Sequence, residues 1–401
     1  MNEDLRGFFE KIDHAAEQGQ RVAVATIARK RGSTPREQGA KMIIRSAGEA
    51  LGTVGGGCGE AEVWRSALDV IADGKPRLVH VDLTEDIDLK SEGVCGGTFD
   101  VFVDPWGPDQ RPLLRGAPVP SGREPGSEAE LALLPAIENR IPVTLATVIE
   151  RRRTSDAVVG AKMLVGDDGT VRGTLGSSTL DQLVIPDARA ALEKAEPRTV
   201  SYTLGTGESP ATVDVLLEPY PPPPELVILG AGHIALPLAR IAKMCDFDVT
   251  VIDDRASFAN KERFPDADRI IAESFETAVQ KLKVTPRTYL VLVTRAHSYD
   301  VYSLRHLIHS DAAYIGMIGA QRRVWAVFKL LHDEGVPASK IERVHAPIGV
   351  DINAETPAEI AVSIMAEIIN VRRGGNIPVM SDKLRERFQR RLRAGESLDD
   401  E

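Results

Sequence analysis

At 401 residues the chain is longer than one ordinary core can organise, so two or three domains are expected. Its 59 acidic residues against 49 basic ones give a formal charge of −10, which argues against a nucleic-acid footprint or an anionic membrane surface. No apolar run approaches the ~18 residues of a membrane span, the N-terminus lacks a signal-peptide core, and Cys58, Cys95 and Cys245 suit free thiols, so a cytoplasmic protein is expected.

The first elements in chain order are a helix over Leu5 to Gln18, a β-branched strand over Val22 to Ala28, and a second strand over Lys41 to Arg45. The tight turn Ser46 to Glu49 follows, and then Gly52-Thr53-Val54-Gly55-Gly56-Gly57-Cys58-Gly59-Glu60, which runs into the apolar-periodic segment Ala61 to Ile71. Five of those nine residues lack a side chain and one is a soft nucleophile. Glycines expose backbone N–H donors, and a following helix adds the positive end of its dipole, so this is a candidate ligand loop.

The same order then recurs. Val22 to Val63 laid over Val143 to Val184, a shift of 121 without a gap, gives 13 identities in 42 positions, among them Gly39-Ala40-Lys41-Met42 with Gly160-Ala161-Lys162-Met163. A small α+β unit has been duplicated. The copies differ where chemistry is expected: Gly55-Gly56-Gly57-Cys58-Gly59 faces Gly176-Ser177-Ser178-Thr179-Leu180. The second copy also drops seven residues from the stretch holding Glu92-Gly93-Val94-Cys95-Gly96-Gly97. Both Gly/Cys elements therefore belong to copy one alone, which assigns them to function rather than to the fold.

Beyond Pro219-Tyr220-Pro221-Pro222-Pro223-Pro224 a new domain opens with the strand Glu225 to Leu229 and Gly230-Ala231-Gly232-His233-Ile234-Ala235. A helical pattern follows, and a second strand ends at Asp253, 21 positions beyond Gly232. That context predicts a Rossmann-like, doubly wound parallel sheet. Gly230 makes the tight turn, Gly232 and His233 border a ligand phosphate or sugar, and Asp253 would hold a ribose hydroxyl. Arg255 leaves NAD against NADP open. The strand Tyr289 to Thr294 delivers Arg295, His297 and Asp300 to the sheet's ligand edge, where they form a candidate polar constellation. The alternative is that Asp300 caps the next helix and Arg295 is a solvated charge.

The expected organisation is thus α/β: a first α+β copy with the Gly/Cys loops (1–105), a Pro/Gly/Arg-rich linker (106–127) and a degenerate second copy (128–219). A Pro-rich spacer (220–224), a Rossmann-like domain (225–375) and a charged tail expected to fray (376–401) complete it.

Gly32-Ser33-Thr34-Pro35-Arg36, Gly39-Ala40-Lys41-Met42, the Gly52 to Cys58 loop and Gly230-Ala231-Gly232-His233, in this order, resemble the XdhC/CoxI family. These are accessory factors of xanthine dehydrogenase and carbon monoxide dehydrogenase. The resemblance covers nearly the whole chain apart from the 106–126 linker and the tail. It implies a chaperone that binds molybdenum cofactor, assists its protection and sulfuration, and hands it to a molybdenum hydroxylase apo-enzyme. A cysteine desulfurase is a further implied partner, and a homodimer is the expected assembly. In that role Cys58 or Cys95 would approach the soft metal centre, with no dedicated metal cage in the protein. Arg36 or the Rossmann loop would take the phosphate and the Gly/Cys loop the pterin or metal end, because Glu60 and Glu62 oppose an anion there. Two alternatives stand beside it: an NAD(P)-dependent oxidoreductase, and a non-catalytic scaffold between target enzyme and sulfur donor.

Overall fold

The computed structural model describes residues 2–55, 58–83, 97–116, 131–153, 155–205 and 210–394. They fall into two compact units, Met1–Pro222 and Pro223–Glu401.

In the first unit, copy one comprises α1 (Asn2–Glu17), β1 (Val22–Arg31), β2 (Lys41–Ile44), β3 (Ala50–Gly52), α2 (Cys58–Asp73), β4 (Arg77–Asp82) and β5 (Thr98–Trp106). A 3-10 turn (Pro108–Gln110) and α3 (Arg111–Arg115) follow. Copy two comprises α4 (Leu133–Glu138), β6 (Val143–Arg152), β7 (Lys162–Gly166), β8 (Val171–Gly173), α5 (Ser178–Lys194), β9 (Arg198–Leu204) and β10 (Ala211–Tyr220). The antiparallel sheets repeat one order, β3-β2-β1-β5-β4 and β8-β7-β6-β10-β9. Strand alternation explains the layering. Ala23, Ala25 and Ile27 of β1 pack in a core with Val63, Ala67 and Val70 of α2. Ala28 and Phe102 of copy one instead meet Ile149 and Leu216 of copy two between the sheets.

The contact between copies is reciprocal, as in an isologous dimer. Lys41 pairs with Glu218 and its counterpart Lys162 with Asp104, all four nearly buried between the sheets. Burial pushes the Asp104 carboxyl up against the pull of Lys162. A Cβ on Gly39 would lie 2.6 Å from Pro197 Cγ, and one on Gly160 would lie 2.9 Å from Pro76 Cγ. Reciprocity breaks at one point. Arg29 stands where copy two has Glu150, and its guanidinium donates to Glu150 (2.9 Å), Asp100 (3.0 Å) and Asp214.

One expectation needs correction here. The 106–127 segment is not linker from its start: Trp106 completes β5, and Arg111 and Arg115 of α3 donate to Asp13 of α1 at 3.0 and 2.8 Å.

The second unit comprises β11 (Glu225–Leu229), α6 (Ala235–Met244), β12 (Asp248–Ile252), β13 (Arg269–Ile271), α7 (Phe275–Lys281), β14 (Thr288–Leu292), α8 (His297–Leu307) and β15 (Tyr314–Met317). It continues with α9 (Gln321–Asp333), α10 (Ala338–Ile341), β16 (Val344–His345), α11 (Pro357–Arg372) and α12 (Met380–Ala394). The sheet runs β13-β12-β11-β14-β15-β16 with parallel ladders, the doubly wound order. Cores lie on both faces, one with α6 and α11, the other with α7, α8, α9 and α12. The capping box of α11 forms: Thr356 Oγ1 accepts from Glu359 N–H and Pro357 opens the helix. The tail does not fray where expected. Leu384 and Phe388 bury one face of α12 against Trp325 and Phe328.

Candidate functional site

In the first unit, the copy-one features meet at one end of their sheet. The turn after β1 carries exposed Arg36, whose guanidinium has no hydrogen-bond or ion-pair partner among the described residues. A Cβ on Gly55, at φ +149°, would lie 3.0 Å from Pro35 Cγ, so the Gly52 loop touches that turn. Gly97, just before β5, comes as close: a Cβ there would collide with Ser33 O and lie 2.6 Å from Arg31 O. Gly56, Gly57 and Cys95 lie outside the described residues. Cys58 is the first residue of α2, a 16-residue helix, and its side chain lies outside the described residues.

The hydrogen bonds redistribute the roles within the loop. Glu60 Oε1 accepts from Thr53 Oγ1 (2.5 Å) and from the N–H groups of Val54 and Gly55 (both 3.2 Å). Copy two repeats this staple with Asp181, Thr174 and Leu175 N–H. Val54 and Gly55 are therefore not donors to an anion, and Glu60 serves the fold. Gly59 is also a packing residue: a Cβ there would lie 2.7 Å from Val81 Cγ1. Gly52 and its counterpart Gly173 share φ near +86° and a close approach to the carbonyls of Lys41 and Lys162. The sequence signal for the staple was present, since the threonine and the acidic residue recur in both copies.

In copy two the corresponding turn is closed. Val158 N–H donates to Leu175 O at 3.1 Å, and Arg151 holds the carbonyls of Ser155 and Ala157. Arg36 has buried Ala157 as its counterpart.

In the second unit, Gly230 has φ +107° and a Cβ there would meet Val293 O at 2.5 Å, so only glycine fits the turn. A Cβ on Gly232 would meet nothing within 4 Å, and His233 is exposed beside it. Asp253, expected to hold a ribose hydroxyl, is bonded within the protein. It is 1% exposed, its Oδ2 accepts from Ala231 N–H (2.8 Å) and Arg255 Nη2 (3.0 Å), and its Oδ1 accepts from Arg255 N–H and Nε. That carboxylate is engaged by the protein itself.

The Arg295, His297 and Asp300 constellation separates into two. Arg295 forms a two-pronged pair with Asp254 (2.5 and 2.8 Å), which holds that carboxyl well below the usual range. Asp300 lies buried beneath, accepting from Thr294 Oγ1 (2.5 Å) and Arg323. Burial raises its pKa to about 6 against the pull of Thr294 and Arg323. His297 is exposed at the start of α8, its pKa lowered by partial burial and by Arg323. Asp254 and Arg323 were not singled out from sequence, because pairings 41 and 23 positions apart leave no local pattern.

A family model described as the XdhC Rossmann domain matches residues 226–368. One described as the XdhC and CoxI family matches twice, at 15–82 and 136–203, so each copy is recognised separately. The chain belongs to the XdhC and CoxI family. The second pair of ranges is offset by the same 121 positions as the internal repeat.

Among family relatives, the uncharacterised Escherichia coli protein YqeB is 32% identical over 59% of this chain, and the match spans only 44% of that longer protein. A Bacillus subtilis protein, named as one of the probable subunits of xanthine dehydrogenase, is 26% identical over 92% of this chain and 98% of its own. The Escherichia coli molybdenum cofactor insertion chaperone PaoD is 20% identical over 93% and 90%. A crystal structure of a Bacillus halodurans xanthine dehydrogenase superposes with TM-score 0.63 at 23% identity, covering 93% of this chain and 97% of that one. At that identity the likeness speaks for the XdhC fold alone.

Proposed function

We propose that this chain is an accessory protein that carries molybdenum cofactor at the copy-one end of its first unit and delivers it to a molybdenum hydroxylase apo-enzyme of the xanthine dehydrogenase type. The observation that carries this reading is the meeting of the Arg36 turn, the Gly52 to Gly59 loop and Gly97 in copy one. Copy two keeps the frame and lacks the chemistry, with Ala157 for Arg36 and Ser177-Ser178-Thr179 for Gly56-Gly57-Cys58. The relative named as a molybdenum cofactor insertion chaperone supports the same cargo.

The donor set fits that cargo. A thiolate from Cys58 or Cys95 matches a soft metal–sulfur centre, and Arg36, without a partner among the described residues, offers a fork for the terminal phosphate. With Val54 and Gly55 N–H committed to Glu60, the phosphate falls to Arg36 and the loop takes the pterin or metal end. In this reading a cysteine desulfurase sulfurates the bound centre, and the carrier is a cytoplasmic homodimer. The engaged Asp253 gives the NAD(P)-dependent oxidoreductase alternative no support.

The test is co-expression with cofactor biosynthesis, followed by assay of bound molybdenum and pterin fluorescence. The wild-type chain is expected to carry both, and the Cys58→Ala, Cys95→Ala double variant to lose them. Equal content in the two proteins would overturn the proposal.

A further inference from the structure

The turn that carries Arg36 holds a second cation, whose pairing is particular to copy one. Lys30 stands opposite Phe99 in the β1–β5 ladder, so strand alternation puts its side chain on the sheet face of Phe99. That is the face of the glycine loop: a Cβ on Gly55 would lie 3.8 Å from Phe99 Cζ, and one on Gly59 3.7 Å from it. From there the Lys30 ammonium pairs with Glu37, the residue beside Arg36. The pair is open to water, with Lys30 34% and Glu37 81% exposed. In copy two the counterpart of Lys30 is Arg151, which donates to Ser155 O and Ala157 O and so closes its turn. The counterparts of Arg36 and Glu37 there are Ala157 and Val158. Copy two does expose Arg153 in that turn, but as a single cation with Asp156 three residues on.

We infer that Lys30 joins Arg36 in holding the phosphate of the cargo, and that Glu37 is the partner Lys30 exchanges for that phosphate. The inference rests on the carrier reading above. A phosphomonoester carries about −1.5 to −2 at neutral pH, more than one guanidinium neutralises. An exposed lysine–carboxylate pair is weak in water, so a group with more charge and more acceptor oxygens displaces the carboxylate. Glu37 then serves release. It competes for Lys30 throughout, which keeps the hold on cargo loose enough to hand it over.

The test follows pterin fluorescence as the loaded full-length chain is diluted, with release normalised to the cargo loaded. Wild type is compared with Lys30→Gln, Glu37→Gln and Arg31→Gln. Arg31 is the control, because it is exposed, has no partner among the described residues, and lies on the opposite sheet face with Arg29. Lys30→Gln is expected to release cargo roughly tenfold faster and Glu37→Gln about threefold slower, with Arg31→Gln within about twofold of wild type. Faster release by both Lys30→Gln and Glu37→Gln makes the pair a brace of the turn and overturns the inference. Wild-type release by either variant also overturns it, as does release from Arg31→Gln as fast as from Lys30→Gln. Slower release cannot come from damaged folding, so the Glu37→Gln arm decides the matter even if Lys30→Gln lowers the thermal midpoint. In each of these cases wild type still holds its cargo and the carrier reading stands. A wild-type chain that binds neither molybdenum nor pterin overturns both.

Discussion

Arg29 holds three carboxylates, of which Asp214 is 3% exposed, and shares Glu150 and Asp214 with Arg152 of copy two. Arg29→Met leaves Arg152 as the cation beside those two acids and is expected to cost about 1–3 kcal/mol, read as a lower denaturant midpoint. Glu150→Gln added to it should recover part of that loss. Asp300 behaves differently because its carboxyl titrates from the ordinary 3.8 to about 6 on folding. A raised carboxyl pKa means the folded state binds the extra proton, so the contribution is complete below pH ~4 and declines as pH rises to ~6, by at most ~3 kcal/mol. The stability difference between wild type and Asp300→Asn, measured by urea unfolding at several pH values, should follow that slope. A flat difference would rule it out. Gly232→Ala, which meets no neighbour, should leave stability within ~0.5 kcal/mol. Any phosphate-bearing ligand of the Rossmann loop should nevertheless bind it more weakly, by calorimetry.

Among the elements, Gly39 and Gly160 are a matched pair: each has φ near +87° and each faces a proline of the other copy. Alanine at either should cost about 1–3 kcal/mol, and similarly at both, because strain and clash are reproduced by the repeat. Strongly different losses in thermal unfolding would contradict a reciprocal interface. The elements themselves were readable from sequence for physical reasons. The strands are β-branched runs, the turns fall at Gly48 and Gly169, and the Rossmann helix follows a glycine turn that admits no side chain. The copy comparison also separated framework glycines from the Gly/Cys cluster. Less legible was whatever depends on distant partners. Asp253 looked like a ligand residue because its spacing is right, yet Arg255 and Ala231 N–H engage it. Arg295, before α8, and Asp300, in its first turn, pair with different partners. The 376–401 segment reads as a charged tail because its apolar residues are spread among many arginines, although Leu384 and Phe388, with Leu392 beside them, bury one face of α12.

For the whole molecule, each unit carries its own cores, so Met1–Pro222 and Pro223–Glu401 should fold when expressed apart, each giving a cooperative thermal transition. Bound molybdenum, in the proposed reading, should remain with the first. The Arg29 and Glu150 exchange at the seam has a further consequence. Arg29 of copy one meets Glu150 and Asp214 of copy two, a pairing that needs unlike halves, and covalent fusion makes it permanent. Once unlike, the halves are free to diverge: one can specialise while the other serves as its scaffold. In the proposed reading the stoichiometry is a single cargo per polypeptide, and native mass spectrometry of the loaded chain can count it.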